Sequence, residues 1–298
     1  MTHRRLAVTL LAGFTLIASG ASSGLLLARD TGQHSYLVTV IAESGDPVTD
    51  LTGADFVVRE GSKELEVVSA ELSTFPLMVS LLVDTTEPPP GMPSPARELR
   101  AALSGFVDAI RAAGGAPKVA LIEVGGGAVT TAGFDANTAD LDAAIQKIFP
   151  AHPGDALVVE AIGGAARAMG TADTPRRAVV VVDFNSSESA GEGTMKKVMG
   201  DLAQSGATVW SASVRLPRSG GSRREGALNT MTKATGGLRQ VAGAATGLDV
   251  LLKRIADSLA SQYIVTFARE GRGDDDQPGE IRMHLKDGRK VHVSPMRR

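Results

Sequence analysis

Three short stretches carry the side chains best placed to do chemistry. Leu81-Leu82-Val83 ends in Asp84-Thr85-Thr86-Glu87-Pro88, Val179-Val180-Val181-Val182 ends in Asp183-Phe184-Asn185-Ser186-Ser187, and Pro153-Gly154-Asp155 precedes the stretch that starts at Ala156. Two of these set an aspartate directly after an apolar run of buried-strand type, where open α/β sheets gather their ligands. Brought to one edge, Asp84, Asp155, Asp183 and the Thr86 hydroxyl form an all-oxygen donor set. That set suits a hard divalent cation, Mg2+ first, with Mn2+ and Ca2+ as alternatives. Without a cation the carboxylates would repel one another and raise at least one pKa. The plainer alternative is that these aspartates only cap helices and satisfy loops.

Other chemistries find little support. The chain has no cysteine, which removes thiol catalysis, disulfides and cysteine-held metals. Its five histidines (His3, His34, His152, His284, His292) lack HxxxH or HExxH spacing. No G-x-S-x-G elbow occurs, and no serine is placed to pair with His152 near the acidic stretches. Asp84 as a phosphoryl acceptor, in the style of the haloacid dehalogenases, would want an aspartate two residues on, where Thr86 stands. The expectation is therefore a non-catalytic protein, with a hydrolase as the remote alternative. Lys and Arg number 31 against 33 Asp and Glu, a net charge of −2 that argues against nucleic-acid binding by bulk charge.

The elements that must position these residues follow from the apolar pattern. At 298 residues, 43% hydrophobic and 21% charged, the chain is long and apolar enough for a sizeable core. Aromatics are only 4%, so that core is aliphatic. Residues 36–42 are β-rich, and 55–60 with 64–70 read as a hairpin about Gly61-Ser62. From residue 76 strands and helices alternate: strands at 77–83, 118–124, 128–134, 178–182 and 207–213, with helices at 96–112, 138–148, 156–169, 193–204, 228–235 and 248–261. Such βα units predict a doubly wound, mostly parallel sheet with helices on both faces. Residues 262–269, 279–285 and 290–294 return to β, and the simplest expectation packs them with the N-terminal strands as a small sandwich. The organisation expected is thus a leader over 1–30, half a sandwich over 36–74, an α/β domain over 75–261 and the other half-sandwich over 262–298.

Arg4-Arg5 followed by an uncharged stretch from Leu6 to Ala28 has the form of an export signal or a membrane anchor, with small residues Ser19-Gly20-Ala21-Ser22-Ser23 inside it. Either form puts the remainder outside the cytoplasm, as a periplasmic or secreted protein, tethered if the leader stays. Several remaining features are expected to be bland. Gly191 to Lys197 lacks phosphate-loop spacing, Gly125-Gly126-Gly127 turns one strand into the next, and Trp210 is core. Arg215, Arg218, Arg223 and Arg224 sit among Ser and Gly as a solvated basic loop, and Arg272-Gly273-Asp274 is a chance tripeptide.

Residues 75–261 resemble a von Willebrand factor A (VWA) domain, in which an apolar first strand ends in a D-x-S-x-S metal-adhesion motif. Asp84 matches its leading aspartate, Thr86 stands at the first serine, and Pro88 replaces the second. Gly154-Asp155 falls where the family has Gly-Thr, and Asp183 matches its late aspartate. Val48 to Gly61 and Gln262 to Phe267 resemble the segments flanking the domain in exported bacterial VWA-related proteins. The resemblance implies a degenerate metal-ion-dependent adhesion site of Asp84, Thr86, Asp155 and Asp183, and a protein ligand whose carboxylate completes the cation's coordination. The alternative function is a metal-independent structural or assembly role in the cell envelope.

Overall fold

The computed structural model describes residues 31–172, 174–184, 190–215, 223–270 and 280–295. The leader over 1–30, Asn185 to Ser187, Arg218 and the Arg272-Gly273-Asp274 tripeptide lie outside the described residues. Among the described residues no helix is long and apolar enough to cross a membrane.

The N-terminal region folds as β1 (Thr31–Ile41), β2 (Phe56–Glu60), β3 (Lys63–Leu65) and β4 (Val67–Leu72). An α/β run follows: β5 (Leu77–Asp84), α1 (Ala96–Ala112), β6 (Lys118–Val124), β7 (Ala128–Ala132), α2 (Thr138–Lys147), α3 (Val158–Met169), β8 (Arg176–Asp183), α4 (Glu192–Ser205), β9 (Thr208–Val214), α5 (Arg223–Thr235), β10 (Arg239–Ala242) and α6 (Leu248–Ala260). The chain closes with β11 (Tyr263–Glu270), β12 (Ile281–Leu285) and β13 (Lys290–Pro295).

Six strands form the central sheet in the order β10-β9-β8-β5-β6-β7, parallel except for β7, which runs antiparallel to β6. Every residue of β5 is buried, because successive side chains feed opposite helix layers. Leu77, Val79, Leu81 and Val83 join α1, α2 and α6, whereas Met78 and Leu82 join α3, α4 and α5. β8 divides in the same way, with Ala178, Val180 and Val182 to one layer and Val179 and Val181 to the other. From β5 the chain moves outward to β6 and β7, then returns through α2 and α3 to β8 on the opposite side of β5. The crevice beyond the carboxyl ends of β5 and β8 is therefore the switch point of the sheet.

The terminal strands form two antiparallel sheets, β13-β1-β11-β4 and β12-β2-β3. β11 pairs with β1 from Thr31↔Glu270 to Val38↔Tyr263, joining residues more than two hundred positions apart. Val38, Val40, Phe56, Val58, Leu65, Tyr263, Val265, Phe267, Met283 and Leu285 enclose one core between the sheets. The expected single hairpin over 55–70 is corrected: β2 and β3 pair about Gly61, but after Glu66 the chain crosses over and β4 pairs with β11 in the other sheet. Arg269, the last residue of the expected strand, is buried in β11, where it grips Glu60 of β2 with Nε 3.0 Å from Oε1 and Nη2 2.9 Å from the same oxygen. That contact clamps the sandwich's two sheets together.

β10 carries no sequence signal in the pattern above, being a short polar edge strand. It reaches β9 only because Gly237 permits close approach: a Cβ there would sit 1.8 Å from the Val209 carbonyl oxygen.

Candidate functional site at the carboxyl edge of the sheet

Asp84 and Asp183 end adjacent strands whose last registered pair is Val83↔Val182. Both carboxylates are buried, at 1% and 2% exposure. The turn after β5 folds back on the first: Thr86 donates its backbone N–H to Asp84 Oδ1 at 3.0 Å and its hydroxyl to the same oxygen at 2.5 Å. This turn is fixed by the loop after α2. Ala151 and His152 donate their N–H groups to the Thr85 carbonyl, and Glu87 donates to that of His152. The ring of His152 lies over Gly125, where a Cβ would come within 2.8 Å of it. His152 Nδ1 lies 2.9 Å from the Pro153 carbonyl oxygen.

The decisive side chain is Arg224, in the first turn of α5. It is fully buried, not solvated as the Ser/Gly-rich context predicts. Its Nη1 donates to Asp84 Oδ2 at 2.8 Å, and its Nη2 donates to the Ala156 carbonyl at 2.7 Å. Its charge also acts favourably on Asp183. Burial pushes the Asp183 carboxyl above the ordinary range, while a 2.5 Å hydrogen bond from the Ser213 hydroxyl and the Arg224 charge pull the other way. Beside this pair, Glu225 is bonded by Arg215 and lies 3.6 Å from Arg239 Nη1. Among the described residues, the carboxylates of Asp84 and Glu225 thus meet the guanidiniums of Arg224, Arg215 and Arg239, and Asp183 lies within the field of Arg224 and Arg239.

The structure gathers Asp84, Thr86 and Asp183 but not Asp155, whose side chain is exposed. Asp155 follows the turn at Gly154, with φ +90°, and the Ala156 carbonyl beyond it meets the guanidinium. Among the described residues no group of three or more His, Asp or Glu side chains is arranged to hold a metal. The residues as placed do not fit a divalent cation: Asp84 spends both oxygens on Thr86 and Arg224, and Pro88 offers no ligand.

No family profile matches the sequence, and no curated protein matches it. Solved structures do. A von Willebrand factor type A structure from Catenulispora acidiphila superposes with a TM-score of 0.51 at 10% identity, covering 90% of this chain and 74% of that one. The α/β unit has a VWA-like fold. Proximal thread matrix protein 1 from the mussel byssus superposes with a TM-score of 0.52 at 12% identity, covering 68% of this chain and 50% of its own, so this chain matches about half the length of that protein. A further structure of the mussel protein, with a zinc-occupied MIDAS motif, has a TM-score of 0.50, 10% identity and coverage of 67% and 49%.

Sequence reasoning missed Arg224 within this VWA-like edge, although a signal exists. α5 buries Arg224, Leu228, Met231, Thr232 and Thr235, a helical stripe that starts at the arginine. Extending the apolar face of Leu228 back by one turn finds it.

Proposed function

We propose that the chain is an exported, non-catalytic protein-binding module. It presents the carboxyl-edge loops of its VWA-like domain to a protein partner, and it binds without a metal ion. One observation carries this reading: the acidic groups at the switch point are consumed by the chain's own Arg224, Thr86 and Ser213. They are left neither as a cation cage nor as a general base or nucleophile. Among the described residues, what faces outward at this edge is Glu87, Gly126, Gly127 and Ala151 to Asp155, on loops held to one another by backbone hydrogen bonds. Such a surface recognises by shape and hydrogen bonding. Export rests on the basic, then apolar, leader in the sequence.

A second reading has its own observation. β4 is an edge strand that exposes Val68 and Leu72, with Phe75 close behind, so assembly through the sandwich is the rival mode. Capture of partners from envelope extract separates the two. Capture that survives EDTA and is lost in Gly127→Arg, where open space surrounds the glycine, supports the loop face. Capture lost in EDTA contradicts metal independence, and capture lost only in Val68→Arg transfers the function to the sandwich.

A further inference from the structure

We propose that the Arg224 guanidinium is a tethered cation: it stands where a divalent metal would bind, and its removal opens a latent metal site of Asp84, Asp183, Thr86 and Ser213. This rests on the VWA-like reading of the edge and on nothing about a partner.

Asp84 and Asp183 end neighbouring strands inside a sheet whose surroundings are aliphatic, and a buried carboxylate without a positive partner is costly. A fold can meet that cost with a bound metal or with a side chain that never loses its charge, and arginine is such a side chain. Arg224 is delivered from α5, 140 positions along the chain from Asp84, and has no exposed surface. Its two terminal nitrogens divide between a carboxylate oxygen and a backbone carbonyl, the oxygen donors that a hard cation would otherwise gather. Among the described residues, Arg215 and Arg239 stand against Glu225 beside the Arg224–Asp84 pair, so the edge already holds fixed positive charge that would repel an added metal ion.

Two consequences distinguish this device from an ordinary buried ion pair. The coordination that would let a partner's carboxylate dock on a metal is closed, since the guanidinium is wholly enclosed. The same oxygens become metal donors once the charge is withdrawn, because Thr86 and Ser213 hold hydroxyls on the carboxylates already.

The test titrates purified protein with Mn2+, following free ion by electron paramagnetic resonance and folding by thermal melting. Wild type should take up none, with its melting temperature the same in EDTA and in excess Mn2+. Arg224→Gln should bind one equivalent and gain roughly 5 °C or more at saturation. Arg224→Lys, which keeps the charge, should remain silent. If Arg224→Gln is unfolded in EDTA, Mn2+ should restore a cooperative melt. Stoichiometric uptake by wild type overturns the proposal. So does an Arg224→Gln protein that is folded and silent, or one that stays unfolded at saturating Mn2+. None of these readouts involves a partner, so partner capture can fail or succeed independently.

Discussion

Arg224 Nη1 lies 2.8 Å from Asp84 Oδ2, and neither side chain has any exposed surface. A buried ion pair is weak evidence for stability in itself, because desolvation offsets most of the attraction, but half of one is strongly destabilising. Asp84→Ala or Arg224→Ala should each cost about 3–5 kcal/mol in urea melts. Asp84→Asn combined with Arg224→Gln should cost clearly less than the sum of its single variants. Additive losses would mean that the two groups do not act as a pair.

A second arginine ties the sandwich to the VWA-like domain. Arg176, at the start of β8, donates to the carbonyls of Ser73 and Phe75 in the link before β5 and to that of Leu259 near the end of α6. Burial lowers its pKa to about 10, so it stays charged at neutral pH. Arg176→Met should lower stability by about 1–3 kcal/mol. It should also speed proteolysis of the link around Thr74, measured by limited digestion against wild type.

How much of this could be read from the sequence depended on whether a residue's environment is periodic. β5 and β8 announce themselves as unbroken apolar runs because both faces of the central sheet are covered, so Asp84 and Asp183 were located at strand ends from spacing alone. Three β-rich stretches left without partners at the C-terminal end suggest packing with the N-terminal strands, but which strand β11 pairs with has no sequence signal. The crossing between sheets at Glu66 had no such signal, since the alternating pattern of a hairpin continues through it. Asp155 stands exposed after the turn at Gly154, whose left-handed backbone composition does not reveal. Arg224 was hidden by its polar neighbours, which made a fully buried side chain look solvated.

Gly237 makes the parallel pairing of β10 with β9 possible. With the Val209 oxygen 1.8 Å from where a Cβ would stand, Gly237→Ala has to push β10 away from β9. The variant should lose more than about 2 kcal/mol. Hydrogen exchange should show the loss of protection concentrated at Ser211 to Val214.

His292, in β13 opposite Thr39, gives the sandwich a pH response. Burial, with the Lys290 charge second, lowers its pKa from the ordinary value of about 6.5. The unfolded chain therefore takes up a proton before the folded one does. The stabilising contribution of the neutral ring is complete above about pH 6.5 and declines as the pH falls through that value towards the lower folded one. Melting curves between pH 7.5 and pH 5 should fall less steeply for His292→Gln than for wild type.

Crystals grown with excess Mn2+ and examined for anomalous scattering distinguish a guanidinium from a metal as the group that neutralises the carboxyl edge. Planar side-chain density linking Asp84 to the Ala156 carbonyl is expected, with no anomalous peak beside it. A peak coordinated by Asp84 and Asp183, with Arg224 swung out of the site, would contradict that expectation.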